Sequence, residues 1–287
     1  MRPLIITKQS TRYPSLSIRK YHRRVFYDNL WHLDPLLLES RGHVVDSNGK
    51  LVVNPPTKVF NYRENGTTIP YDEFCLYTTK INGFLACLTY NPELDEVLVS
   101  TTGSLDSNYV QMAREYLQFA ILVIQQRKAS YTYFFEICHH DDPHIIPENV
   151  GAYLLGMRVL DDTDPYTTSL DDQHTLDTLA RQFRVGRPLY GLAHFSDLLK
   201  TLPACKHEGY MVYGLTSKTT LKLKSPYYLV LKAIARKSDI LSLNRNRVSE
   251  EYYPLLDHLI SIKDTFNQLS EQDRLDYIRN YLETNYA

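Results

Sequence analysis

Two hydrophobic periods run along the chain, and they predict a mixture of strands and helices. Short apolar runs at Phe74–Tyr77, Phe84–Leu88 and Tyr131–Cys138 are typical of buried strands. From Asn108 to Arg127 the apolar residues recur at helical spacing, which indicates one long helix with an apolar face against a sheet. After Lys237 only helical patterns remain. The sequence therefore predicts an α+β fold that ends in helices.

The change of pattern after residue 236 divides the chain into two predicted domains. Residues 1–236 form the main domain, and residues 237–287 form a small all-helical appendage. Ser270-Glu271-Gln272-Asp273 resembles a capping box with Asp in place of Glu, and it opens the last predicted helix. The acidic stretch at residues 161–172 is predicted to be an exposed loop.

The composition bears on which partners the protein could bind and on the cellular compartment in which it is expected. The 287 residues carry a net charge of -1, so a nucleic acid would have to meet local basic patches and not a global field. The most basic cluster, Ile18–Arg24, is either a solvated helix face or arm, or a surface that contacts phosphates. The four cysteines form no C-x-x-C pair, which argues against a zinc site. No signal peptide or membrane span is visible, so a soluble protein of the cytoplasm or nucleus is expected.

Lys80 stands out because it lies between two apolar runs, just before Asn82-Gly83. Asn-Gly between apolar strands is a strong signal for a tight hairpin, so Lys80 is predicted to end one strand of a largely buried hairpin. A buried lysine costs free energy unless another group uses its charge or its amine. Two interpretations remain open, a turn that carries a lysine or a nucleophilic amine.

Two acids and two further lysines fall in strand-like segments. Glu136 lies within an apolar run, so its carboxylate needs a cation, a metal or several hydrogen-bond donors. Glu208, at the start of a predicted strand, is either an ordinary strand-end acid or a ligand of the same kind. Lys222 and Lys224 alternate with leucines and therefore share one strand face. They either protect a sheet edge or converge on a phosphate.

These residues, in this order and spacing, resemble motifs I, III, IV and V of the covalent nucleotidyltransferases, a superfamily of DNA ligases, RNA ligases and mRNA-capping enzymes. The matching elements are Lys80-x-Asn82-Gly83, Phe135-Glu136, Glu208-Gly209 and Lys222-x-Lys224. The chain is most similar to the bacteriophage RNA ligase 1 type and to the ligase domain of fungal tRNA ligases. Further elements that resemble theirs are Arg41-Gly42, Lys58-Val59-Phe60-Asn61, Thr102-Gly103-Ser104 and His144-Ile145-Ile146. Asn82 stands where many ligases have aspartate, and Thr102 where the phage type often has lysine.

The resemblance implies the nucleotidyltransferase fold, in which helices flank antiparallel sheets, and it implies ATP as the nucleotide with Mg²⁺ or Mn²⁺. Lys80 would be the nucleophile that takes up AMP, with Lys222 and Lys224 as further catalytic residues. The implied nucleotide contacts are Arg41, Lys58, Thr79, Asn82, Glu136, Glu208, Lys222 and Lys224. Glu136 and Glu208 would also hold the metal. Attack by Lys80 requires a neutral amine, which partial burial and the neighbouring cations are expected to favour.

The implied activity is that of an ATP-dependent RNA ligase, which joins 5′-phosphate and 3′-hydroxyl RNA ends through a lysyl-AMP and an adenylylated RNA end. Nicked tRNA is the substrate that the resemblance suggests, in RNA repair. Partner enzymes that prepare the ends, and a monomeric state, are further expectations. The alternatives are a DNA ligase, a GTP-using capping enzyme, or an RNA-binding relative without activity. The residues after Lys237 carry no pattern of short alternating strands, which argues against the first two.

Overall fold

The computed structural model describes residues 3–160, 169–245, 248 and 250–285. Within these ranges the strands form three sheets, and helices flank the sheets and make up the C-terminal end. This arrangement confirms the predicted α+β fold with antiparallel sheets flanked by helices.

The strands and helices are numbered in chain order. The strands are β1 (Ile5–Gln9), β2 (Ser17–Tyr21), β3 (Arg41–Val45), β4 (Leu51–Val53), β5 (Phe60–Asn61), β6 (Phe74–Thr79), β7 (Phe84–Asn91), β8 (Glu96–Thr101), β9 (Tyr131–Cys138), β10 (Gly151–Val159), β11 (Tyr190–His194), β12 (Gly209–Gly214) and β13 (Thr220–Lys224). The helices are α1 (Arg23–Tyr27), α2 (Leu36–Glu39), α3 (Asn108–Arg127), α4 (Leu170–Phe183), α5 (Phe195–Thr201), α6 (Pro226–Ala235), α7 (Tyr253–Ser261), α8 (Lys263–Phe266) and α9 (Glu271–Asn285).

The N-terminal sheet contains β1, β2, β3 and β4 in chain order, all antiparallel. The helices α1 and α2 connect its second strand to its third. The basic cluster Ile18–Arg24 therefore lies on β2 and on the start of α1. It is a strand for most of its length, so the helix face considered from the sequence is wrong.

The four-stranded sheet has the order β10-β9-β7-β8, with neighbouring strands antiparallel. Helix α3 packs on it through the apolar face that the sequence predicts. The buried residues of that face are Val110, Ala113, Leu117, Ala120 and Ile124. They join β7, β8, β9 and β10 in the largest hydrophobic core among the described residues.

Helix α4 begins at Leu170, within the stretch that the sequence predicts to be an exposed loop. Ser169 and Asp172 form a reciprocal capping box, in which each side chain bonds the backbone of the other residue. The stretch predicted as an acidic loop is therefore helical at its end, because Asp172 satisfies a backbone N–H at the helix start. The rest of that stretch, residues 161–168, lies outside the described residues.

The five-stranded sheet has the order β11-β6-β12-β13-β5. β13 pairs in parallel with β5, with Leu221 opposite Phe60, and the other neighbours are antiparallel. Leu221 and Leu223 of β13 are buried, whereas Lys222 and Lys224 alternate with them. The predicted strand and its alternation are confirmed.

Residues 80–83 cross from the five-stranded sheet to the four-stranded sheet. β6 pairs with β11 and β12, whereas β7 pairs with β8 and β9. The predicted hairpin is therefore wrong, because the Asn82-Gly83 step joins two sheets and does not close a turn within one. Gly83 is required by space, since a Cβ atom there would lie 2.3 Å from the Ile137 carbonyl oxygen.

Helices α6 to α9 share a second hydrophobic core. Its buried residues include Leu231, Leu256, Phe266 and Ile278. Ile145 and Ile146, which follow β9, pack into the same core. The domain boundary after residue 236 stays a prediction, and α6, which precedes it, packs against α9, which follows it.

Two further expectations concern the state of the cysteines and the presence of membrane-spanning segments. Cys75, Cys87, Cys138 and Cys205 are buried free thiols. Among the described helices, none is sufficiently long and apolar to cross a membrane.

Candidate active site

A cavity of about 610 Å³ lies between the two central sheets. Its walls come from β6, β12 and β13 of one sheet and from β7, β9 and β10 of the other. The predicted site residues that line it are Arg41, Lys58, Thr79, Lys80, Glu136 and Lys222. Asn82, Glu208 and Lys224 are not part of the described lining but connect to it through Lys80. A volume of this order is typical of sites for small ligands.

The Lys80 amine forms an ion pair with Glu208. Lys80 Nζ lies 2.9 Å from Glu208 Oε2, and Asn82 Nδ2 donates to the same oxygen at 2.7 Å. The Lys80 backbone N–H donates to the Gly209 carbonyl at 2.8 Å. This bond fixes residue 80 beside the strand that follows Glu208. The Glu208 residue is 2 % exposed, so its charge needs these partners.

Lys224 binds the other oxygen of the same carboxylate. Lys224 Nζ lies 3.2 Å from Glu208 Oε1 and 4.7 Å from the ring centroid of Tyr228. Lys222 instead lines the cavity. The two lysines thus share a strand face, as predicted, but their ammonium groups have different surroundings.

Glu136, predicted to be a buried carboxylate within β9, is half-buried. Its Oε1 accepts a hydrogen bond from the Gly83 backbone N–H at 3.1 Å. Burial raises the pKa of Glu136, although the charge of Lys80 acts in the opposite direction. The carboxylate therefore lies at the cavity wall with one backbone donor and one nearby cation.

The charge state of Lys80 differs from the sequence-based expectation. Burial lowers the pKa of Lys80, but the Glu136 and Glu208 carboxylates together outweigh burial, so its pKa lies above the ordinary lysine value. The expectation that burial and cations favour the neutral amine of Lys80 is therefore wrong. Conversely, burial would raise the pKa of Glu208, but Lys80 and Lys224 hold that pKa below its ordinary value.

The cavity disfavours the ammonium form of Lys222, and burial also lowers the pKa of Lys58. Burial, followed by the charges of Arg41, Lys80 and Lys58, lowers the pKa of Lys222 to about 7. The positive charges of these side chains repel one another. A ligand with several negative charges would relieve this repulsion, so the cavity suits such a ligand.

Lys222→Met is expected to remove a pH dependence of stability. Between the folded pKa of about 7 and the ordinary value of 10.5, the unfolded chain holds a proton at Lys222 that the folded chain has released. Stability of the wild type should therefore rise with pH across this window, and this rise should be smaller in the variant. Urea unfolding of both proteins at pH 7 and pH 9 measures this rise in stability. An equal rise in the wild type and the variant would contradict the lowered pKa of Lys222.

Arg41 and Lys58 add positive charge to the cavity. Gly42 has φ of +105°, and a Cβ atom there would lie 3.0 Å from the Thr102 Cα atom. Glycine therefore lets β3 approach Thr102 closely, which places Arg41 at the cavity. Lys58 Nζ lies 4.6 Å from the ring centroid of Phe60 and 4.0 Å from Glu64 Oε1.

Sequence reasoning missed three residues around Lys80. Glu148 accepts the Asn82 backbone N–H at 3.1 Å, Lys218 lines the cavity, and Tyr228 lies beneath Lys224. Lys218 could have been found, because it lies in the turn just before β13, the strand that carries Lys222 and Lys224. Glu148 lies in an irregular segment without periodicity, so no sequence signal placed it near the site.

Comparisons with known proteins bear on the fold. No family model and no curated protein matches the sequence. The chain is similar to an archaeal ATP-dependent RNA ligase, form 2, with a TM-score of 0.59 and 12 % identity over 96 % of this chain and 73 % of that chain. A Naegleria gruberi RNA ligase with PPi gives a TM-score of 0.48 and 14 % identity over 61 % and 57 % of the two chains. The chain therefore shares the fold of that archaeal RNA ligase.

Proposed function

We propose that this chain is an ATP-dependent RNA ligase that uses Lys80 as its nucleophile. The observation that carries the proposal is the Lys80 amine in the wall of a cavity that also contains Arg41, Lys58 and Lys222. Three cations beside one amine suit the triphosphate of a nucleotide, whose α-phosphorus the amine attacks. The fold shared with an archaeal ATP-dependent RNA ligase supports the same proposal.

The proposed reaction has three steps. The Lys80 amine loses a proton and attacks the α-phosphorus of ATP, so a nitrogen–phosphorus bond forms and pyrophosphate leaves. A 5′-phosphate oxygen of RNA then attacks the same phosphorus, and the nitrogen–phosphorus bond breaks. Finally a 3′-hydroxyl loses its proton and attacks the RNA 5′-phosphorus, which forms the phosphodiester and releases AMP.

The remaining site residues have roles that follow from their contacts. Arg41, Lys58 and Lys222 stabilise the charge that develops on the phosphates. Thr79 lies in the cavity wall next to Lys80 and is proposed to contact the nucleotide. Asn82 uses both side-chain heteroatoms within the protein, one on Glu208 and one on the backbone of residue 146, so it acts on the nucleotide through Glu208.

The carboxylates fit a divalent cation unequally. Mg²⁺ and Mn²⁺ suit carboxylate and phosphate oxygens, and the cation would neutralise phosphate charge when bound. Glu136 fits as a ligand, because it lines the cavity and uses one oxygen on Gly83. Both oxygens of Glu208 bind Lys80, Lys224 and Asn82, so Glu208 becomes available after Lys80 has lost its charge to the bond with AMP. Glu136, in the cavity wall, is otherwise placed to accept hydrogen bonds from ribose hydroxyls, and Glu208 would do so once Lys80 has released it.

Incubation of the protein with α-labelled ATP and Mg²⁺ tests the proposal. A labelled protein band is expected with ATP, a weaker one with GTP, and sealing of 5′-phosphate RNA in preference to nicked DNA. Preference for GTP or for nicked DNA would favour a capping enzyme or a DNA ligase. Failure to form an adduct with any nucleotide, together with RNA binding, would favour the RNA-binding alternative.

Lys224→Ala is expected to slow formation of the AMP adduct at least about ten-fold. Without Lys224, the charge of Glu208 acts on Lys80 alone, which raises the pKa of Lys80 further, and one pKa unit costs about ten-fold in neutral amine. Lys50→Ala is the control, because Lys50 is an exposed lysine outside the cavity. Equal adduct rates in the two variants would contradict the role given to Lys224.

The finer assignments rest on the sequence resemblance and are proposals. The chain would be related to the bacteriophage RNA ligase 1 and fungal tRNA ligase types and would repair nicked tRNA whose ends other enzymes have prepared. It would be a monomer located in the cytoplasm or nucleus. Comparing the sealing of a tRNA nicked in its anticodon loop with the sealing of unstructured RNA tests the substrate. Equal rates would argue against tRNA as the selected substrate.

A further inference from the structure

Residues 80–83, which carry Lys80, also form hydrogen bonds with residues 145–148, the segment after β9. The Asn82 backbone N–H donates to Glu148 Oε1 at 3.1 Å, and the Ile146 backbone N–H donates to Asn82 Oδ1 at 2.9 Å. Asn82 also donates to the Glu208 oxygen that binds Lys80. The position of Asn82 therefore sets the position of the carboxylate that holds the nucleophile.

Residues 145–148 are in turn attached to the C-terminal helices. The Arg279 guanidinium of α9 donates to the Ile145 carbonyl oxygen and pairs with Asp276 at 2.7 Å. The side chains of Ile145 and Ile146 are buried in the core formed by helices α6 to α9. A chain of direct contacts thus runs from α9 through Ile145 and Ile146 to Asn82.

Glu148, Asn82 and Arg279 also line a smaller cavity of about 180 Å³ that is separate from the large cavity. Lys80 and Gly83 line the large one. Both ends of the crossing segment therefore line the large cavity, whereas Asn82 within it lines the smaller one. Glu148 lines only the smaller cavity, so a substitution at Glu148 leaves the described lining of the large cavity intact.

We propose that Glu148 is a positioning residue for the attack of Lys80, and that α9 supports it by holding residues 145–148 through Arg279. The inference rests on the proposed function and deepens it, because it assigns the C-terminal helices a part in the adenylylation step. Misplacement of a reacting group by about 1 Å is enough to slow a reaction about a hundred-fold, so loss of one backbone anchor beside the nucleophile should be measurable.

The first test compares Glu148→Ala, Glu148→Gln and Asn149→Ala in single-turnover adduct formation over a range of ATP concentrations. Glu148→Ala is expected to lower the maximal rate about ten-fold with little change in the ATP concentration for half-maximal rate. Glu148→Gln keeps an oxygen that accepts the Asn82 N–H and should stay within about three-fold of the wild type. Asn149 is exposed and serves as the control.

Three outcomes of this test separate the hypotheses. Wild-type rates in Glu148→Ala would overturn the positioning role. Equal slowing in the Gln and Ala variants would also overturn it, because the charge and not the acceptor would then matter. If the wild type itself forms no adduct, the proposed function fails, and this inference fails with it.

A second test addresses the link to α9. Arg279→Ala is expected to slow the maximal rate as Glu148→Ala does, and the double variant should be no slower than the slower single variant, because both act along one path. Arg279→Lys keeps a donor for the Ile145 carbonyl and should recover most of the rate. Multiplied effects in the double variant, or a lower urea midpoint for Arg279→Ala with an unchanged adduct rate, would overturn the link.

Discussion

Lys80→Ala is expected to abolish the AMP adduct completely, because the variant lacks the amine that forms the bond to the α-phosphorus. The fold should persist, since Glu208 keeps its contacts with Lys224 and Asn82. Labelling with α-labelled ATP, followed by denaturing electrophoresis, measures the adduct. Circular dichroism and urea unfolding of the same preparation establish that the variant is folded.

Lys80→Arg separates the nucleophile from the charge. The guanidinium keeps a cation beside Glu208 and Glu136 but stays protonated at neutral pH and does not attack phosphorus. We therefore expect near-wild-type stability and no adduct. An adduct that persists in either variant at residue 80 would remove Lys80 from its proposed role. It would direct attention to Lys222, an amine of the same cavity whose pKa is lowered to about 7.

Glu208→Ala is expected to have the largest effect on stability. Glu208 is 2 % exposed, and its carboxylate compensates two lysines whose side chains are only 18 % and 16 % exposed. Removing one member of a buried ion-pair cluster costs about 3 kcal/mol, because the charges that remain have lost their partner. The free energy of unfolding in urea measures the effect, and an unchanged midpoint at pH 7 would contradict it.

The pH dependence of this effect has a definite sign. The lowered pKa of Glu208 gives stability that is lost as pH falls through the folded pKa of that carboxyl. The raised pKa of Lys80 gives stability that is lost as pH rises through the folded pKa of that amine. The difference between wild type and Glu208→Ala should therefore be largest near neutral pH and shrink in acid. Glu208→Gln, which still accepts from Asn82, should lose less stability than the alanine variant.

The placement of several candidate site residues was predictable from the sequence, because it depends on which residue types follow one another. Alternation placed Lys222 and Lys224 on one face, and the apolar neighbours of Glu136 indicated its burial. Both features are local. The structure agrees with the alternation and leaves Glu136 half-buried. The cavity then brings Lys80, Glu136 and Lys222 together, as the resemblance to nucleotidyltransferases implies.

The geometry around Lys80 was not predictable, because it depends on residues that are distant in sequence. Asn82-Gly83 has the local signature of a hairpin, but the carbonyl of Ile137 leaves no room for a side chain at residue 83 and the step links two sheets. The pKa of Lys80 depends on its distances from Glu136 and Glu208, which only the packed sheets define. The hydrogen bond from the Asn82 backbone N–H to Glu148 was also not predictable, because Glu148 lies in an irregular segment that is distant in sequence.

The parallel pairing of β5 with β13 has a consequence for the order of events during folding. It joins a strand near the start of the chain to one that is synthesised much later, whereas α3 and the β7–β8 pair form from neighbouring residues. Contacts between distant segments form slowly, because loop-closure entropy must be lost before they contribute. A newly made chain would therefore form α3 and the β7–β8 pair early, and would complete the cavity that Lys222 of β13 lines among the last steps.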